Sequence, residues 1–308
     1  MPLEPTMEIG SPPSPPFIEV DGLPNFRDCG GYPVAQKADT IVRRGVLYRS
    51  ADPSRISERG IAQLRALDIT KVFDLRSHGE ISESTKNGWG QIREWDSALR
   101  IPASVFTDSD LASGQRAKRD AYLREEGHQG FVNYYRDVLA SATSHENEFE
   151  PLRQILRYFS ETPATQLRPI LIHCSLGKDR TGVICALILS LCGVDDSIVA
   201  HEYAITVLGL REKVAAIIAE IHPDGTGMTE VETRFFGSKK ESMQCFLEQL
   251  RQNGGVEQYI EDSGILTDYQ VKQLQQNLTV RLLEGEEPLD WRRHAEMLEQ
   301  FLNTAPSS

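Results

Sequence analysis

The chain has 308 residues, 40% hydrophobic and 25% charged, the balance of a soluble globular protein with one large decorated domain or two small ones. A formal net charge of -12 argues against general affinity for nucleic acid and against broad adhesion to anionic membranes, while leaving room for a local basic pocket. No apolar run is long enough to span a bilayer, and the start of the chain lacks the basic and apolar regions of a secretory leader, so a cytoplasmic location is expected.

Residues 1–16 are rich in Pro and Ser and are expected to be disordered. Order should begin near Phe17. Residues 41–48 read as a strand carrying Arg43 and Arg44. Residues 57–67 read as a helix with Ser57 as its cap. Residues 69–75 and 99–103 are further strand candidates. The polar stretch 107–128 reads as a loop or insertion, followed by helices over 129–142 and 146–160. Residues 168–173 form a short apolar run after a proline, the pattern of a buried strand. Residues 181–191 form an apolar helix ending at Gly193. Helical periodicity runs over 195–221 and breaks at Pro223-Asp224-Gly225. More helices are expected over 239–252, 268–283 and 289–302. Strands alternating with helices predict an α/β layered domain, with an N-terminal tail over 1–16, a main domain over 17–283 and a helical extension over 284–308.

The cysteines are Cys29, Cys174, Cys185, Cys192 and Cys245. They are odd in number and lack CxxC spacing, so neither a disulfide framework nor a metal site is expected. Cys174 stands out by context. With 24 Arg in the chain, an Arg six positions after a given Cys arises by composition about one time in thirteen. Cys245 and Arg251 have that spacing inside a continuous helix with no Gly. Cys174 and Arg180 have it across a buried strand, a loop containing Gly177 and the start of an apolar helix. Such a loop turns successive backbone N–H groups inward, and the helix N-terminus adds positive potential. A planar guanidinium can grip two phosphate oxygens, and the same field favours thiolate over thiol. The bland alternative for Cys174, a small hydrophobe at a strand end, explains neither the Gly nor the Arg.

The sequence His173-Cys174-Ser175-Leu176-Gly177-Lys178-Asp179-Arg180-Thr181-Gly182 resembles the Cys-x5-Arg loop of the protein tyrosine phosphatase superfamily. In its Gly-Lys-Asp-Arg-Thr-Gly wording it resembles the atypical tyrosine, dual-specificity and lipid phosphatases of bacteria and fungi. Asn25-Phe26-Arg27-Asp28-Cys29-Gly30-Gly31, Leu47-Tyr48-Arg49-Ser50, Asp74-Leu75-Arg76-Ser77 with Glu80, and Tyr259-Ile260 with Gly264-Ile265 match the same family in order.

The resemblance implies a tyrosine-phosphatase-like fold: a central mixed sheet flanked by helices, with extra helices toward the C-terminus. It implies hydrolysis of phosphate monoesters, foremost phosphotyrosine, with phosphoserine, phosphothreonine or phosphoinositides as further substrates. Cys174 would be the nucleophile and Arg180 the phosphate-binding group. Ser175, Leu176, Gly177, Lys178 and Thr181 would line the substrate, the hydroxyl of Thr181 helping the sulfur leave. His173 would orient the loop. Lys178 is either a solvated loop lysine or a cation at the pocket mouth that favours substrates with extra negative charge. The general acid is Asp179 or, second, Asp108; Asp74 reads mainly as the partner of a nearby Arg. Asn25, Arg27, Asp28 and Arg76 form polar clusters that either tie the N-terminal segment to the core or touch substrate. No cofactor is implied, because the thiolate supplies the nucleophile. Two other readings stay open: a phosphate-recognition module of the same fold with weak turnover, and a sulfur transferase, which the loop size disfavours. A mobile cover made by the helices after 195 is a further expectation from the resemblance.

Overall fold

The computed structural model describes residues 12–304 other than 87, 89, 109, 111 and 112. Of the tail expected to be disordered, residues 1–11 lie outside the described residues. Within residues 12–16, Ser14 and Pro15 are exposed while Pro13 and Pro16 are buried, and the Pro16 carbonyl accepts from the Asp28 N–H at 3.1 Å.

The elements in chain order are β1 (Arg27–Asp28), β2 (Thr40–Val42), β3 (Leu47–Ser50), α1 (Glu58–Ala66), β4 (Lys71–Asp74), α2 (His78–Lys86) and β5 (Leu99–Pro102). Then come α3 (Ser113–Arg124), α4 (Gln129–Thr143), α5 (Pro151–Glu161), β6 (Ile170–His173), α6 (Asp179–Leu191), α7 (Asp196–Ala204) and α8 (Thr206–Ile221). The chain finishes with α9 (Glu230–Phe236), α10 (Lys240–Gln252), α11 (Gly255–Asp262), α12 (Asp268–Leu278), β7 (Thr279–Arg281) and α13 (Trp291–Thr304). The Ser57 hydroxyl caps α1 as expected, accepting from the Gly60 N–H at 3.1 Å.

Several boundaries differ from expectation for local reasons. The strand expected over 41–48 is two strands, because Gly45 turns the chain at φ +71° between them. The polar stretch 107–128 contains α3. The helical pattern over 195–221 is divided into α7 and α8 at Ile205. The helix expected over 268–283 stops at Leu278, because residues 279–281 pair with β2.

The main sheet has the order β1-β3-β6-β4-β5, with β1 antiparallel to β3 and every other neighbour parallel. Strand β6 is central and buried throughout, as its Ile170-Leu171-Ile172 run requires. Its side chains alternate between two cores. Leu171 joins Tyr48, Val72, Ile61 and Leu64 on the α1 face. Ile170 and Ile172 join Leu47, Phe73 and the apolar side chains of α4, α5 and α6 on the other. Burying each of these three side chains favours the fold by roughly 1.5–3 kcal/mol. The result is an α/β fold with a mixed sheet between helices, as the resemblance implied. Ser50 and Asp74 both stand in register with His173. The segments leaving β3, β4 and β6 therefore converge at the carboxyl edge of the sheet, where open α/β sheets bind ligands.

Candidate active site

The apolar strand β6 delivers the buried Cys174 to this edge, and α6 starts five residues later. Gly177 makes the intervening turn possible. Its φ is +62°, and a Cβ there would lie 1.9 Å from the Ser50 carbonyl oxygen.

The loop is held from outside by its carbonyls. Ser175 O accepts from the Asp52 N–H at 3.1 Å and from Lys213 Nζ at 3.4 Å. Asn25 Nδ2 donates to Leu176 O at 3.1 Å and to Gly177 O at 3.2 Å. Arg49 Nη2 donates to Gly177 O at 2.7 Å and to Lys178 O at 3.1 Å. In a planar peptide the N–H points opposite the C=O. With the carbonyls turned outward, the N–H groups of this turn face inward. Among the described residues, none of the backbone N–H groups of residues 175–178 donates to a protein acceptor. The loop is thus a cradle of donors above Cys174, continued by the N-terminus of α6.

Arg180 stands in the first turn of α6. Its Nη1 and Nη2 donate to the two carboxylate oxygens of Glu80 at 2.6 and 2.7 Å. Glu80 lies on α2, and it also accepts from the Ser175 hydroxyl. Burial would raise the Glu80 carboxyl, but the charge and hydrogen bonds of Arg180 prevail and hold it at about 2. Burial likewise works against the charge on Arg180, and Glu80 keeps the guanidinium protonated. This pairing uses the end of the guanidinium, leaving Nε with no partner among the described residues. The fork is therefore fixed in direction while one edge stays available to an anion.

Other candidate residues fall in different places. The imidazole of His173 is buried, its Nδ1 lies 3.1 Å from the Cys174 carbonyl, and burial lowers its pKa. Asp74 accepts from Arg76 Nε and Nη2 at 2.9 Å each and from Arg100 Nη2 at 2.9 Å. Burial opposes the Asp74 charge, yet His173, Arg76 and Arg100 hold its carboxyl well below the usual range. Arg76 is spent on Asp74 and the Gly90 carbonyl, the latter at 2.8 Å. Asp28 sits apart from Asn25 and Arg27. It accepts from the Gly45 and Gly30 N–H groups at 2.7 and 2.8 Å, and burial pushes its carboxyl up to about 6.

Lys178 is neither a solvated loop lysine nor a cation at a pocket mouth. It is buried, and its Nζ donates to the Gly237 carbonyl at 2.8 Å and to the Phe235 carbonyl. The rings of Phe131 and Phe235 flank the ammonium, with centroids at 5.3 and 5.6 Å. Burial pulls its pKa down. The residue ties the loop to the segment after α9.

Asp179 opens α6. One oxygen accepts from the Tyr203 hydroxyl at 3.1 Å, and Tyr203 in turn accepts from Tyr135 at 2.5 Å. The other oxygen lies 3.5 Å from Lys178 Nζ. Asp108 is exposed and accepts from the Gly79 N–H at 2.9 Å, at the start of α2. The Thr181 hydroxyl is buried with no hydrogen-bond partner among the described residues. Within those residues no cluster of three metal-ligating side chains occurs.

Sequence reasoning missed Glu80, Arg49 and Glu202. Glu80 and Arg49 were visible only as letters inside matched segments. Glu202 had no local signal at all: it reaches Arg27 and Arg49 across 175 and 153 positions.

An α/β sheet that brings Cys174, the turn over residues 175–178 and Arg180 together at its carboxyl edge has the layout of an anion-binding site. A profile described as the tyrosine phosphatase family matches residues 18–280. The chain is 31% identical over 214 residues to the triple specificity protein phosphatase PtpB of Mycobacterium tuberculosis, covering 66% of this chain and 74% of that one. It is 32% identical over 188 residues to a putative tyrosine-protein phosphatase of Cupriavidus necator, covering 60% and 61%. It is 28% identical over 188 residues to a tyrosine-protein phosphatase of Nostoc commune, covering 60% and 55%. The chain therefore belongs to the tyrosine phosphatase family and is a phosphoric monoester hydrolase that takes phosphorylated substrates. Among the described residues, no helix is long and apolar enough to cross a membrane.

Proposed function

We propose that the chain hydrolyses phosphotyrosine through a cysteinyl-phosphate on Cys174. The carrying observation is the cradle itself: outward-held carbonyls at 175–178, Cys174 at the base, and Arg180 fixed by Glu80 at the rim. The Cys174 thiolate attacks phosphorus in line, forming the S–P bond as the bond to the ester oxygen breaks. Inward N–H groups and Arg180 stabilise the flattened phosphoryl group. Asp179 is the favoured acid for the departing oxygen, with Asp108 second. Asp179 adjoins the loop, its oxygens facing the Tyr203 hydroxyl and Lys178 Nζ, and Asp108 accepts from the Gly79 N–H at the start of α2. Water then attacks phosphorus, its proton passes to the same carboxylate, and phosphate leaves with the S–P bond broken. The uncommitted Thr181 hydroxyl is suited to stabilise the departing sulfur.

The similarity to a relative named for triple specificity supports a range wider than phosphotyrosine, and the resemblance of the loop adds phosphoserine, phosphothreonine and phosphoinositides as further proposed substrates. The burial of Lys178 removes one argument for lipid preference, since its charge faces backbone carbonyls. Five free cysteines suit a reducing, cytoplasmic setting. The test is phosphate release from matched phosphotyrosyl peptide, phosphoseryl peptide and phosphoinositide, comparing wild type with Cys174→Ser. Release fastest from the tyrosyl peptide and abolished in the variant is expected. Stable phosphopeptide binding by folded, reduced wild type without release would favour the recognition-module reading.

A further inference from the structure

Beneath the loop, the arginine that holds its carbonyls is itself part of a larger buried polar network. Glu202 of α7 is 1% exposed and carries two arginines that are fully buried. Arg27 Nε donates to Glu202 Oε1 at 2.7 Å, and Arg49 Nη1 donates to Oε2 at 2.5 Å. Arg27 Nη2 also donates to the Glu202 carbonyl at 3.1 Å and to Thr206 Oγ1 at 2.8 Å. The group is two cations on one anion in the buried interior, where such charges are costly unless hydrogen-bonded; Arg49 Nε has no partner among the described residues. Each arginine then reaches the loop. Arg49 Nη2 bonds the Gly177 and Lys178 carbonyls directly. Arg27 Nη1 bonds Asn25 Oδ1, which turns the Asn25 Nδ2 toward the Leu176 and Gly177 carbonyls.

We propose that Arg49, held by Glu202, is the positioning residue of the phosphate loop: its fork fixes the Gly177 and Lys178 carbonyls outward, and so aims the N–H groups at the phosphoryl oxygens. Arg49 touches no substrate. Its second contribution is charge. Arg27, Arg49 and Glu202 together leave one positive charge behind the loop, on the side away from substrate, where it favours a bound phosphoryl anion. This inference rests on the phosphatase reading of the same loop.

The test uses Arg49→Met and Arg49→Lys in the full chain. Met removes the loop donors while leaving Arg27 and Glu202 as a neutral pair. Lys restores the charge, but one ammonium cannot span both Glu202 and the two loop carbonyls. The expected result for Arg49→Met is a fall in kcat of about tenfold to a hundredfold. Inorganic phosphate should bind more weakly. Arg49→Lys should keep the low kcat and the weak phosphate binding, because the restored charge does not hold the two carbonyls. Asn25→Gly, compatible with the positive φ at that position, provides the same readouts if the Met variant does not fold, and should lose phosphate affinity in the same direction. Wild-type kcat and phosphate affinity in a folded Arg49→Lys would overturn the proposal. Phosphate binding by calorimetry needs no turnover, so an inactive wild type would defeat the phosphatase reading while this measurement still decides the role of Arg49.

Discussion

At Gly177 a side chain has nowhere to go, because Cβ would meet the Ser50 carbonyl oxygen and φ is positive. Gly177→Ala should therefore destabilise the fold by more than ~1 kcal/mol and largely abolish phosphate release, checked by thermal melting and steady-state assay. Glu80 offers a second test. Its folded pKa of about 2 lies below its ordinary value, so its contribution to stability is complete above about pH 4.5 and is lost as pH falls toward 2. Glu80→Gln should flatten acid unfolding in that window and lower kcat/KM by about tenfold to a hundredfold, because Arg180 loses its brace. Cys174 and Arg180 were legible because a strand, a Gly and a helix start surround them in sequence. Their supports were not: Glu80, Arg49 and Glu202 act through contacts about 100 or more positions away, which no local pattern encodes.

The principal elements of the sheet and its central helix were legible from apolar runs and caps. Strand β6 is a continuous apolar stretch because both of its faces are covered, and α6 is apolar all round from Val183 to Leu189 because that stretch is buried on every side. Short elements escaped. In β2 and β7, three residues each, pairing decides the conformation, and the pairing joins residues 40–42 to residues 279–281. Lys178 was misread because exposure is the default for a lysine, whereas here the backbone carbonyls at the end of α9 solvate it. The α9 segment is thereby anchored to the loop. Lys178→Met should leave those carbonyls unsatisfied and cost about 1–3 kcal/mol. It should also expose the α8–α9 region to protease sooner than in wild type, read by limited proteolysis at matched temperature.

Across the whole molecule, α13 closes on α7 beyond the matched span 18–280. Leu298 packs with Ala204, Ile205 and Phe17, and the rings of His201 and His294 stack at 6.4 Å beside Trp291. Burial, with the neighbouring His294 and Lys240, lowers His201 to about 4. A histidine depressed below its unfolded value contributes stability that is complete above about pH 6.5 and is lost as pH falls through 4. Stability should therefore decline from pH 6.5 downward, and His201→Phe should remove that part of the slope, measured by denaturant unfolding across the range. The central claim is that Cys174 carries the phosphoryl group, and mass spectrometry of enzyme quenched in acid during turnover of a phosphotyrosyl peptide tests it most directly. Phosphate on the peptide containing Cys174 during turnover by wild type, and none on the corresponding peptide of Cys174→Ser, is the predicted result. Turnover with Cys174 unmodified at every quench time, and undiminished in Cys174→Ser, would contradict the account.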